Sequence, residues 1–132
     1  EVKNMSCEKK FYKCSICGNL VQMVNVGGGE LVCCGQSMDL LVPNTVDAST
    51  EKHVPVVNVG EGKLTVKVGS VTHPMTEEHY IQWICLCTEN RSVLRFLKPG
   101  DDPVAEFCFD DPAEKATIFE YCNLHGLWAT EI

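Results

Sequence analysis

Nine cysteines in 132 residues, against only four histidines, constrain this chain more than any other feature. An odd number of thiols cannot all pair within one chain. With no signal-peptide pattern in view, the expectation is metal ligation plus some free thiols in place of a disulfide scaffold. Four of the cysteines fall in the segment YKCSICGNLVQMVNVGGGELVCCGQSM. Cys14-x-x-Cys17 lets two thiolates face one ion, and Gly18 lets the backbone curl behind them. Fifteen residues then precede the adjacent pair Cys33-Cys34. That intervening stretch reads as a hairpin, NLVQMVNV and GELVCC joined at Gly27-Gly28-Gly29, which would bring the two pairs together. Four thiolates point to a tetrahedral site for iron or zinc, and spacing does not choose between them. The adjacency of the second pair departs from the usual zinc ribbon and should distort the tetrahedron. A thiol–disulfide motif would account for Cys14 and Cys17 but leave Cys33 and Cys34 unexplained.

Past Met38 the cysteine pattern stops and a polar connector, VPNTVDASTEK, begins. The expected division is a small four-cysteine domain over residues 1–42 and a second domain over 43–132. In the second, VPVVNV, KLTVKVGSV, HYIQWICLC, SVLRFL, VAEFCF and KATIFEYCNLHGLWATEI alternate with Gly, Pro and Asp turn signals. Strands at about ten-residue spacing without a helical period predict an all-β sandwich or barrel. In YIQWICLC, Ile81, Trp83, Cys85 and Cys87 share one face, yet Ile84 and Leu86 make the other face apolar too. Burial on both sides, as at a subunit interface, would explain that strand. Cys122 and His125 stand three positions apart in what reads as the final strand.

Composition narrows the function classes. A hydrophobic content of 45% suffices for a modest core, and the apolar runs are too short to cross a bilayer. A net charge of −7 argues against a nucleic-acid or anionic-membrane surface, because both need concentrated Lys and Arg. A cytoplasmic protein is the expectation.

His53, His73, His79 and His125 all lie in the second region. Any one alone is more often a surface or hydrogen-bonded histidine than a ligand. Most of them stand at strand edges or turns next to Pro or Gly, where loops at one end of a sandwich converge. Four neutral imidazoles and one thiolate would leave one octahedral position empty, and an open position marks a reactive metal.

YKCSICGN, ELVCCGQSM, NTVDASTEKHVPV, VKVGSVTHPM, HYIQWI, RFLKPGDDP and EYCNLHGLW, in this order from Phe11 to the C-terminus, strongly resemble the desulfoferrodoxins, the two-iron superoxide reductases. The resemblance implies a desulforedoxin-like, rubredoxin-type metal domain followed by an immunoglobulin-like β-sandwich. It implies two iron ions per chain, one on Cys14, Cys17, Cys33 and Cys34, the other on His53, His73, His79, His125 and Cys122. A structural or copurified calcium ion is left open. The implied activity is reduction of superoxide to hydrogen peroxide with electrons from a rubredoxin-like donor, in a homodimer. Cys122 would be the axial thiolate, tuned by the amides of Leu124 and His125. Lys52 would attract superoxide and order the proton-delivering water, and Glu51 would bind the oxidised iron after the product leaves. An arbitrary exposed Glu-Lys pair is usually solvated surface, but this one adjoins a ligand. Cys7, Cys85, Cys87 and Cys108 fall outside the motif and read as bystander thiols. The rival readings are a non-catalytic electron carrier and a zinc-stabilised interaction module.

Overall fold

The computed structural model describes residues 10–132; Cys7 lies outside them. These residues fall into two compact units, one ending at Val42 and one running from Pro43 to Ile132. No helix among them is long and apolar enough to cross a membrane.

The first unit holds β1 (Phe11–Lys13), β2 (Leu20–Gln22), β3 (Val32–Cys33), β4 (Gln36–Ser37) and β5 (Asp39–Leu40). The hairpin expected across Gly27-Gly28-Gly29 does not form. Instead β1 pairs antiparallel with β2 and β5, and β3 pairs with β4. Each cysteine pair therefore makes its own tight turn. Between β1 and β2, Cys14 N–H donates to the Asn19 carbonyl at 2.8 Å and Gly18 N–H to the Cys14 carbonyl at 3.0 Å. Between β3 and β4, Cys34 and Gly35 are the two central residues, with φ of 53° and 77°. Two successive positive φ values are what a two-residue hairpin loop requires, and they explain why this pair of cysteines is adjacent. The glycine stretch is irregular because glycines offer no side chains to pack across a ladder.

The second unit opens with one helical turn, α1 (Thr50–His53), which the sequence pattern did not foretell. Seven strands follow: β6 (Pro55–Gly60), β7 (Lys63–Val68), β8 (Ile81–Cys87), β9 (Ser92–Phe96), β10 (Val104–Cys108), β11 (Thr117–Cys122) and β12 (Gly126–Glu131). They form two antiparallel sheets, in the orders β10-β7-β6 and β12-β11-β8-β9. The architecture is the all-β pair anticipated, a small desulforedoxin-like unit and a β-sandwich. β7 and β10 alternate buried and exposed residues, so their sheet is solvated on one face. Their inner residues Leu64, Val66, Val68, Ala105 and Phe107 pack on Ile81, Ile84, Leu86 and Ile118 of the other sheet. Burial of each of the larger side chains among them contributes about 1.5–3 kcal/mol.

β8 and β11 are buried on both faces within this single chain, so the doubly apolar pattern needs no second subunit. A register shift beside Tyr121 pairs Cys122 with Ile81 and Tyr121 with Trp83. This bulge moves Ile81 onto the inner face with Ile84 and Leu86, whereas strict alternation would place it with Trp83. On the opposite face Trp83 stacks on Tyr121 at 5.7 Å. Cys85 and Cys108 are in no disulfide, and Cys85 Sγ lies 3.5 Å from Ser92 Oγ. Cys87, expected to be a bystander thiol, is instead disulfide-bonded and fully buried. The segment read as one final strand is two, β11 and β12, with Asn123 to His125 as the turn between them; Gly126, at φ 80°, lets the chain reverse there.

Glu120 is the anomaly of this core. Its neighbours across the ladder are Trp128 and Ile84, it is fully buried, and neither carboxyl oxygen has a hydrogen-bond partner among the described residues. Burial pushes its carboxyl well above the usual range. An unpartnered buried polar group costs more than an apolar side chain of similar volume. Glu120→Met should therefore raise the unfolding free energy of the metal-loaded protein by about 1–3 kcal/mol in denaturant titrations. A loss of stability would show that Glu120 has a buried partner.

Candidate metal centres

Two tight turns assemble the first cluster. Cys14, Cys17, Cys33 and Cys34 each offer a sulfur within 4.8 Å of the others. Cys17 Sγ lies 3.6 Å from Cys33 Sγ, which lies 4.0 Å from Cys34 Sγ. Backbone N–H groups point at the sulfurs: Cys17 N donates to Cys14 Sγ and Asn19 N to Cys17 Sγ, both at 3.5 Å. The Cys17 amide leads in pulling the Cys14 thiol down to about 6, while hydrogen bonding with Cys17 pushes Cys34 up to about 12. The first thiolate forms easily and the last needs a cation beside it. Four sulfurs converging in this way fit a tetrahedral thiophilic metal.

The second cluster draws on four separate segments. α1 supplies His53, the loop between β7 and β8 supplies His73 and His79, β11 ends at Cys122, and the following turn carries His125. His53, His79, Cys122 and His125 each place one candidate ligand atom within 4.8 Å of the others, and His73 lies against them. The four imidazoles form a square. Neighbouring centroids are 4.7 Å apart for His53 and His73, 4.6 Å for His73 and His79, 5.0 Å for His79 and His125, and 5.0 Å for His125 and His53. Neighbouring rings are close to perpendicular, at 73° to 85°, and His53 and His79 face each other across the diagonal at 6.4 Å. Cys122 Sγ reaches two opposite corners, 3.5 Å from His73 Nε2 and 4.0 Å from His125 Nδ1.

Hydrogen bonding settles which nitrogens face inward. His53 Nδ1 sits 2.7 Å from the Ser49 carbonyl and His73 Nδ1 sits 2.6 Å from the Pro74 carbonyl. A carbonyl only accepts, so both Nδ1 atoms carry the proton and both Nε2 atoms present lone pairs. Those two Nε2 atoms are 3.1 Å apart. Burial lowers the affinity of His53, His73 and His79 for a second proton, taking His73 to about 4, so no proton bridges them at neutral pH. His79 Nε2 is likewise buried without a partner among the described residues. Facing acceptors at this distance fit a shared metal cation, and a square of nitrogens with one sulfur suits iron better than tetrahedral zinc. Burial raises the Cys122 thiol, and the Leu124 and His125 backbone N–H groups oppose that rise.

Family models match both units: "Desulfoferrodoxin, N-terminal domain" over residues 6–41 and "Desulfoferrodoxin" over residues 45–131. The chain belongs to the desulfoferrodoxin family. The desulfoferrodoxin of Desulfarculus baarsii is 53% identical over 120 residues, 91% of this chain and 94% of that one. The superoxide reductase of Pyrococcus abyssi is 37% identical over 103 residues, 65% of this chain and 90% of that one. The crystal structure of the superoxide reductase from Treponema pallidum aligns with a TM-score of 0.74 at 37% identity, covering 93% of this chain and 98% of that one.

Two supports of this desulfoferrodoxin's second cluster were not legible as motifs. Trp128, fully buried, stacks on His53 at 4.9 Å and donates Nε1–H to the His125 carbonyl at 3.0 Å, so one side chain braces two imidazoles. Gly69, at φ 81°, lets the loop after β7 press on α1, where Val71 N donates to the Glu51 carbonyl at 3.0 Å. A Cβ on Gly69 would lie 2.6 Å from the Glu51 carbonyl oxygen and 2.7 Å from the Lys52 carbonyl carbon. Both are backbone atoms, so α1 itself would have to move. Gly69→Ala should displace His53, with Glu51 and Lys52, and lower iron retained at the second site while the four-cysteine absorption persists. Metal analysis with visible spectroscopy checks this, and full retention at both sites would show that α1 tolerates the shift.

Proposed function

We propose that this desulfoferrodoxin is a superoxide reductase whose catalytic iron is held by His53, His73, His79, His125 and Cys122 in the domain of residues 43–132. The second iron is held by Cys14, Cys17, Cys33 and Cys34 in the domain of residues 1–42. The observation that carries this reading is the square of four imidazoles with a single sulfur beside it. Two of its corners, His79 and His125, are only half-buried, so a small anion can approach from that side. When bound, a ferrous ion there supplies the one electron that converts superoxide, with two protons, to hydrogen peroxide.

The protein residues prepare that encounter. Burial disfavours the protonated forms of His53, His73 and His79, which keeps their lone pairs available for a metal. The amides of Leu124 and His125 hydrogen-bond the Cys122 sulfur and temper its donation. Lys52 is exposed, forms no ion pair among the described residues, and disfavours protonation of both His53 and His79. Its positive field therefore reaches the square. We assign it the attraction of superoxide and the ordering of a proton-donating water, and Glu51 the coordination of oxidised iron after the product has left.

Each turnover consumes one electron, which a small one-electron donor of the rubredoxin kind would restore. Cys14, Cys17, Cys33, Cys34 and Cys122 must stay reduced to hold iron, which suits a reducing compartment, and we place the reaction in the cytoplasm. A homodimer is supported by β9, an edge strand carrying the exposed Phe96.

Lys52→Met, followed by pulse radiolysis across ionic strength, tests the steering role. The chain carries −7 and the substrate is an anion, so loss of the local cation should slow the second-order step roughly tenfold, about 1.4 kcal/mol. It should also flatten the salt dependence. Parent-like rate and salt response would make Lys52 ordinary surface. Cys122→Ser should abolish the thiolate-to-iron charge-transfer absorption and reduce turnover by orders of magnitude, because a hydroxyl ionises far less readily. An unchanged ferric spectrum would remove Cys122 from the ligand set.

A further inference from the structure

His79 differs from the other imidazoles of the square in how it is held. His53 rides on α1, whose last turn is fixed by its Ser49 contact, and His125 directly precedes β12. His79, like His73, lies in the loop between β7 and β8, outside any regular element, but the His73 ring is fixed at Nδ1 by the Pro74 carbonyl at 2.6 Å. Its own backbone bonds all run to Thr76: His79 N–H donates to the Thr76 hydroxyl oxygen at 3.1 Å, and Thr76 N–H donates to the His79 carbonyl at 3.0 Å. These shape a local turn but anchor it to nothing else. The anchor comes from Asn123. Its side-chain oxygen accepts from Tyr80 N–H at 2.9 Å, and its side-chain nitrogen donates to the Glu78 carbonyl at 3.0 Å. Its own backbone N–H donates to the Tyr80 carbonyl at 3.2 Å.

We propose that Asn123 is the positioning residue for His79, a bracket that fixes this imidazole relative to the Cys122 sulfur. The proposal rests on the reading of His79 and Cys122 as ligands of one metal. A primary amide matches the task because it carries a donor and an acceptor side by side, as a peptide group does. It thereby pairs with the carbonyl before His79 and the N–H after it, as a neighbouring strand would. An aspartate keeps the acceptor for Tyr80 but loses the donor for Glu78 and sets a carboxylate oxygen against a carbonyl. Because Asn123 directly follows Cys122, any movement of the thiolate turn is passed through the bracket to the imidazole.

The same molecule provides a matched control. Asn44 makes an equivalent amide bracket, donating to the Ala129 carbonyl at 3.1 Å and accepting from Ala129 N–H at 2.9 Å, on β12. The experiment compares iron-loaded Asn123→Ala, Asn123→Asp, Asn44→Ala and His79→Ala. The readouts are the rate of iron loss from the second site to EDTA, the thiolate-to-iron absorption and ferric electron paramagnetic resonance of that site, and the thermal midpoint. Removal of two hydrogen bonds from the bracket should speed iron loss roughly tenfold in Asn123→Ala and shift both spectroscopic signatures. Asn123→Asp should fall between it and the parent, and the four-cysteine absorption should stay unchanged in both. Asn44→Ala should lower the thermal midpoint by a similar amount and leave the spectra and iron loss as in the parent. If Asn123→Ala behaves as Asn44→Ala does, the bracket is merely structural and the proposal fails. If His79→Ala also leaves spectra and retention unchanged, His79 is not a ligand and the ligand reading itself fails.

Discussion

Two unprotonated imidazole nitrogens, His53 Nε2 and His73 Nε2, face each other across 3.1 Å in a site where burial disfavours a second proton on either ring. Lone pairs in that relation repel. The Ser49 and Pro74 carbonyls nevertheless lock both rings in this orientation through Nδ1, and Trp128 holds His53 from the other side. The folded chain thus spends stability on an arrangement that only a cation relieves, so metal binding and the order of this end of the sandwich are coupled. α1, the loop between β7 and β8, and the turn between β11 and β12 each deliver a part of this one constraint.

The four-cysteine site is built on a different principle. Its ligands come from two short turns whose backbone N–H groups already point at the sulfurs, and the site needs little support from distant residues. Cys34 bears the conformational cost, because a residue with a Cβ at positive φ is strained by about 1–2 kcal/mol. The histidine site instead recruits residues as far apart as His53 and His125 and needs a rigid scaffold to do so. β8 and β11, buried on both faces, provide that rigidity. The bulge beside Tyr121 turns the inward-facing residues of β8 so that Ile81 packs beside Cys122.

Charge is distributed with the same economy of place. The chain is acidic overall, yet the charged groups adjoining the histidine square include the cation Lys52, whose field disfavours protonation of His53 and His79. Coulombic reach in salt is short, about 8 Å, so distant carboxylates are screened, and this is the physical basis of the steering role we propose for Lys52. Glu120, sealed in the core two residues before Cys122, has its carboxyl pushed well above the usual range by burial, and its field joins burial in raising the Cys122 thiol.

Much of this was legible in the amino-acid order. The four thiols at their spacing, the strand runs between turn signals, and the histidines beside Pro and Gly all follow from local rules about turns, alternation and ligand chemistry. So did the family, because the motifs recur in order along the chain. Tertiary structure decided what local rules could not reach. Each cysteine pair closes its own hairpin, since the glycine stretch between them offers nothing to pair. The final apolar run divides at Asn123 to His125 because Gly126 turns the chain back on β11. Gly69, Asn123 and Trp128 act on partners that chain folding, not sequence proximity, brings to them: Gly69 on Glu51, Asn123 on Glu78 and Tyr80, Trp128 on His53. Ligand identity is a property of side chains and can be read one residue at a time. Ligand geometry depends on backbone contacts between segments dozens of residues apart, and only the folded sandwich brings those segments together.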